Sequence, residues 1–129
     1  MSKIQEFLKN QEKSVMSTVE GKTIIDYFNN NAEEVPEYPA LNTPINSEYT
    51  GWDSVSWSAY RETVHNLASG LIDIGLQAED NAFIVANNVK EHFICDLGIM
   101  HAGGVPSTIY KQLKSGQIEY ISNLLEAKV

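Results

Sequence analysis

The sequence contains one cysteine, Cys95, and one arginine, Arg61, and each scarcity excludes something. A single thiol rules out an internal disulfide framework and fits a reducing compartment. Scarce arginine combined with a net charge of −8 argues against a nucleic-acid surface, because phosphate binding relies on Lys and Arg, and the same charge would repel anionic lipid. No apolar run reaches the roughly 18 residues that a membrane-crossing helix needs, so no transmembrane segment is expected. Residues 1–14 are polar and charged rather than basic and then apolar, which excludes a signal peptide there and makes a cytoplasmic location the expectation. The glycine-rich phosphate patterns G-x-x-x-x-G-K and G-x-G-x-x-G and the nucleophile elbow G-x-S-x-G do not occur.

What the chain does have is a globular composition: 129 residues, 43% hydrophobic and 20% charged, enough to bury one useful core. Ile4, Phe7 and Leu8 stand at helical spacing in a segment reaching about Val15, which predicts a short amphipathic helix that docks on something else. Thr23 with Asp26 three residues on forms a capping box for a second helix, whose end is expected at Asn29, Asn30 and Asn31, with Pro36 and Pro39 forbidding continuation. Two short extended pieces, 40–43 and 52–55, flank the turn-forming residues Pro44, Asn46, Ser47 and Gly51 and read as a hairpin.

Ser56 caps the clearest helix, with Tyr60, Val64, Leu67, Leu71 and Ile74 on one face expected to be buried and Gly75 just past its end. Residues 82–86 form an unbroken apolar run, as expected of a parallel strand covered on both faces. Asn88 with Glu91 predicts the cap of the next helix, closed by Gly103. A strand at 104–109, a helix capped near Ser115 with Ile118, Ile121 and Leu125 inward, and the opening of a further strand at Ala127, Lys128 and Val129 complete the order. That alternation of strand and helix predicts an α/β fold, a partial doubly wound parallel sheet preceded by helices and a β-hairpin. Because the last strand is only opened, the sheet edge and the helix before it are expected to be uncovered and to drive self-association.

Three stretches resemble, in order, the opening of long-chain acyl-CoA synthetases of the adenylate-forming, AMP-binding superfamily. The first runs from Thr23, Ile24, Ile25, Asp26, Tyr27 and Phe28 to Pro39, Ala40 and Leu41. The second, Val55 to Tyr60 with the helix after it, is similar to the family's first core motif, with Ala59 where a glutamate is usual. The third, Leu97 to Tyr110, is similar to the second core motif and contains Val105-Pro106-Ser107-Thr108-Ile109-Tyr110 against the long-chain branch's Val-Pro-x-Thr-Ile-Tyr. At the turn before the central strand, Glu79-Asp80 stands where the family has Gly-Asp. The resemblance divides the chain into an N-terminal amphipathic helix and linker at 1–22 and the truncated N-terminal part of an AMP-binding synthetase domain at 23–129.

The resemblance implies a parent enzyme that adenylates a fatty acid with ATP and Mg²⁺ and passes the acyl group to CoA. The family's phosphate loop, adenine and ribose contacts and catalytic lysine have no counterpart in this sequence, so the chain alone is expected to bind no cofactor and to catalyse nothing. No catalytic residue and no metal ligand set is assigned. His92, Cys95 and Asp96 share a helix without a partner motif and read as ordinary helix residues, Cys95 buried; His65 and His101 read as structural. Gly103-Gly104 reads as a helix end followed by close packing, and Gly70 as a close-packing position. The loop Tyr110, Lys111, Gln112 has two readings: a site near the nucleotide end of CoA, where Lys111 meets a phosphate, or an exposed strand-to-helix connection. The alternative function is a free-standing interaction or dimerisation module derived from such an enzyme.

Overall fold

The computed structural model describes residues 2–129. Helix α1, Lys3–Val19, opens on a capping box between Ser2 and Gln5 and runs one turn past the expected end; none of its residues is buried. Helix α2, Ile24–Glu34, starts where Thr23 and Asp26 cap each other. The asparagines at 29–31 do not end it. All three residues fall inside its span, Phe28 and Ala32 hold its inner face in the core, and termination waits for Pro36.

Strands β1, Pro39–Pro44, and β2, Trp52–Ser56, pair antiparallel as the expected hairpin. Asn46 fastens its turn: the side-chain oxygen accepts from the Glu48 and Thr50 amides. Ser56 Oγ then accepts from the Ala59 amide and starts α3, Trp57–Asp73. Tyr60, Val64, Ala68 and Leu71 are buried, whereas Leu67, expected on the buried face, is half-buried against the cluster that contains Leu71, Leu76 and Ile99. Ile74, placed on that face by its spacing, is 69% exposed, because it is the residue on which the helix unwinds. Gly75 follows with φ +102, and the bonds from Gly75 N to Ile72 O and from Leu76 N to Leu71 O form a Schellman exit. Gly70, expected at a close contact, has nothing near the position a Cβ would take.

The parallel pair β3, Asn81–Ile84, and β4, Val105–Thr108, is joined through α4, Lys90–His101. The strand is shorter than the apolar run 82–86. Ala82 and Ile84 are buried, but Val85 is exposed and Ala86 lies beyond the ladder, so full cover on both faces is not found. Asn88 and Glu91 do not cap α4, whose N-cap is Val89 without a side-chain bond. The helix exit repeats the geometry of α3: Gly103 has φ +84, Gly103 N bonds Met100 O and Gly104 N bonds Ile99 O. A Cβ on Gly104 would come within 3.0 Å of Ile99 and Leu76, so this pair of glycines combines a helix end with close packing.

Helix α5, Ser115–Leu125, follows Lys114, whose amide donates to Gln117 Oε1. Ile118, Ile121 and Leu125 are half-buried rather than inward on a core. Beyond it, Lys128 N donates to Asn81 O and Phe83 N donates to a Val129 main-chain oxygen, so the chain lies along the free side of β3. The core has two parts, one around Leu71, Leu76, Ala82, Ile84 and Ile99 between α3, β3 and α4, the other around Phe28, Tyr60 and Val64 where α2 meets α3. No helix among the described residues is long and apolar enough to cross a membrane.

Candidate functional site

Both parallel strands deliver their carboxyl ends to one place, and in open α/β sheets that is where ligands settle. Ile109 is buried and its amide continues the ladder to Ile84 O, so the residues after it are turned outward. A cleft of about 290 Å³ lies there, walled by Asn87, His92, Thr108, Tyr110, Lys111 and Gln112. Tyr110, Lys111 and Gln112, singled out from the sequence, are thus brought together, all three exposed, with a turn closed by the bond from Leu113 N to Tyr110 O. Lys111 is the one ammonium among the residues lining the cleft.

His92, an ordinary helix residue by its sequence context, also lines this cleft. Its Nε2 lies 2.9 Å from Thr108 Oγ1 and its Nδ1 3.3 Å from the Asn87 carbonyl oxygen. A carbonyl only accepts, so in the neutral ring Nδ1 carries the hydrogen and Nε2 accepts from the Thr108 hydroxyl. The imidazole therefore links the end of β4 to the loop after β3. Its place was available from sequence: a residue in the first turn of a crossover helix lies beside the carboxyl ends of the strands that the helix connects.

A second cleft, about 310 Å³, opens between α2, β1, α3 and α4. The rings of Phe28, Trp57 and Tyr60 form its floor, Phe28 meeting Tyr60 edge-on at 5.0 Å and Trp57 at 6.0 Å between centroids. Burial, and then the charge of Asp96, pushes the Tyr60 hydroxyl up to about 12, so it keeps its proton. Cys95, expected to be buried, is half-buried, and burial followed by the Glu91 charge raises its thiol above the ordinary value, which makes it a poor nucleophile. His65 is exposed, with its ring 5.2 Å from that of His101, whose Nδ1 contacts Leu97 O at 2.8 Å. Among the described residues no group of three or more His, Cys, Asp or Glu converges as a metal site would require.

Comparison with known proteins decides the family. AMP-binding enzymes match over residues 28–129. The chain belongs to this family. Among AMP-binding relatives, the long-chain-fatty-acid–CoA ligase heimdall of Drosophila melanogaster is 27% identical over 122 residues, covering 93% of this chain and 18% of the ligase. An uncharacterized protein of Mycobacterium tuberculosis is 27% identical over 118 residues, covering 91% of this chain and 65% of that protein. The N-terminal subdomain of Klebsiella oxytoca NpsA superposes with a TM-score of 0.69 at 19% identity, over 81% of this chain and 26% of that subdomain chain. The chain therefore spans less than a fifth of the length of the heimdall ligase and has the fold of one part of an adenylation-enzyme N-terminal subdomain. Its small parallel sheet with helices, predicted from strand and helix alternation, is the AMP-binding arrangement.

Proposed function

We propose that residues 23–129 form the opening part of the large domain of an ATP-dependent long-chain fatty acid–CoA ligase, with 1–22 as a helix and linker outside it. The role of this part is architectural: it supplies half of an α/β subdomain and no reacting group. The reading is supported most by one coincidence, the AMP-binding match over 28–129 together with Val105-Pro106-Ser107-Thr108-Ile109-Tyr110 on and after β4. The name of the heimdall ligase adds support for a fatty acid substrate. In such an enzyme a carboxylate oxygen attacks the α-phosphorus of ATP with pyrophosphate leaving, and the CoA thiol then displaces AMP from the acyl carbon. Mg²⁺ and a glycine-rich backbone cradle stabilise the charge on the phosphates.

The residues of this chain do not fit ATP or its metal. Its paired glycines close a helix rather than open one, whereas phosphate is held at helix N-termini. They fit the nucleotide end of CoA better: Lys111 stands exposed beside Tyr110 and Gln112 at the strand ends, where an ammonium can meet a phosphate. The test is direct. Purified chain incubated with palmitate, ATP, Mg²⁺ and CoA is expected to form neither palmitoyl-AMP nor palmitoyl-CoA by mass spectrometry, and enzyme-dependent palmitoyl-AMP would overturn the reading. The site near Lys111 is tested by amide chemical shifts with CoA and with dephospho-CoA, whose difference Lys111→Ala should remove.

The half-covered face of α5 and the segment 127–129 along β3 are read as a surface through which copies associate, a process that sedimentation at micromolar protein measures. A single 14.4 kDa species would count against it. The second reading, a free-standing interaction module, is favoured by the mycobacterial relative, 65% of which this chain covers. A cooperative melt of such a monomer would move that reading ahead.

A further inference from the structure

The aromatic cleft contains a carboxyl group that nothing among the described residues pairs with. Asp96 is half-buried in its wall, on the face of α4 that meets α2 and α3. Among the described residues it has neither an ion pair nor a hydrogen-bond partner. Carboxylates taken partly out of water are ordinarily paired, because desolvation without a counter-charge is unfavourable. Apart from the amide of Asn31, the remaining lining is apolar and dominated by the rings of Tyr27, Phe28, Trp57, Tyr60 and Phe93, with Phe93 half exposed beside the opening. Ring faces attract cations through their quadrupoles, and a carboxylate among such rings selects a positive group with an apolar body.

We propose that this cleft is a binding site for a small organic ammonium, an amine with an aryl or short alkyl body whose cationic head pairs with Asp96. Its volume of about 310 Å³ is at the lower end of the range for small-molecule pockets and suits one ligand of that size. Tyr60, which retains its proton, offers a hydroxyl that can donate to Asp96 or to the ligand. A fatty acid presents the wrong charge here, so the cleft is separate in chemistry from the acyl site of the ligase reading, and its test does not depend on that reading.

A matched charge series tests it: 4-phenylbutylammonium, 4-phenylbutanol and 4-phenylbutyrate titrated into the full chain by calorimetry, with amide chemical shifts locating the contact. The ammonium should bind at least about tenfold more tightly than the alcohol, a difference of about 1.4 kcal/mol, and the carboxylate more weakly still. Asp96→Asn should bring the ammonium down to the alcohol, while Phe93→Ala should weaken all three. Should Asp96→Asn fold poorly, salt replaces it: the affinity of the ammonium should fall with ionic strength and that of the alcohol should not. Equal binding of carboxylate and ammonium, shifts that bypass Phe93 and Leu97, or no saturable binding up to millimolar ligand would each overturn the proposal. So would a lysine-bearing peptide that binds the cleft where the free ammonium does not, since the site would then belong to a protein partner.

Discussion

Helices α1 and α3 have the same length, 17 residues, and both place apolar side chains at helical spacing, yet they end in opposite surroundings. α3 buries Tyr60, Val64, Ala68 and Leu71, with Val64 0% exposed. α1 buries nothing: Phe7 is 61% exposed, and Tyr27 ties the helix to α2 by donating from its hydroxyl to Thr18 O at 2.8 Å. The difference lies in the facing surface. Opposite α3, helix α4 presents Gly98, where a Cβ would lie 2.6 Å from Leu67 Cδ2, so the two helices approach closely enough to close over each other. Periodicity creates a face, and a shaped counter-surface turns it into core.

The same truncation in both helices gives the largest contrast. Leu71→Ala should cost about 2–5 kcal/mol in denaturant melts, through lost burial and the cavity left behind. Leu8→Ala should cost less than about 0.5 kcal/mol, because its side chain is already in water. Similar losses at the two positions would erase the distinction. Gly98→Ala sharpens it: overpacking against Leu67 should cost about 1–3 kcal/mol, and Leu67→Ala in the same chain should recover part of that in a double-mutant cycle.

A smaller effect, of opposite sign, is expected at the turn before β3. Glu79 adopts φ +69, the left-handed conformation that glycine tolerates, and its amide donates to Gly103 O at 2.8 Å, so the turn is fixed. Glu79→Gly should raise stability by about 1 kcal/mol, and an unchanged melt would mean that the turn carries no strain. The smallest effect is electrostatic. Although His65 is exposed, slight desolvation of its ring beside α4, then the charges of His101 and Arg61, lowers its pKa below the usual 6.5. The unfolded chain therefore binds this proton more readily, and stability should fall as pH drops below about 6.5. His65→Gln should flatten that part of the pH profile, whereas substitutions in α1, which has no histidine, should leave it unchanged.

What the sequence made legible follows from how local each signal is. Thr23 with Asp26, Ser56, and Gly75 are signals completed within a few residues, and each lies where the pattern placed it. Asn29 to Asn31 misled because tertiary contacts of Phe28 and Ala32 outweigh the preference of asparagine for helix ends. Asn88 with Glu91 had the spacing of a capping box, but the N-cap falls one residue later, at Val89, and the helix starts at Lys90. Gly98 and Gly70 show the limit most plainly: both are helical glycines, and only the crossing of α3 and α4 distinguishes the one that must be small. The exposed connection Tyr110, Lys111, Gln112 after β4 was legible, while the place of His92 beside it and the aromatic cleft depend on residues that meet only after folding.

The two tryptophans are five residues apart and optically unlike. Trp52 stands on the hairpin, 56% exposed, its ring 6.2 Å from that of Tyr49, whereas Trp57 is half-buried against Phe28 and Tyr60. An aqueous quencher such as iodide should remove the red-shifted emission of Trp52 first and leave a bluer band from Trp57. The chain thus contains its own spectroscopic ruler, one fluorophore reporting on the hairpin and the other on the aromatic cleft, without any label being added.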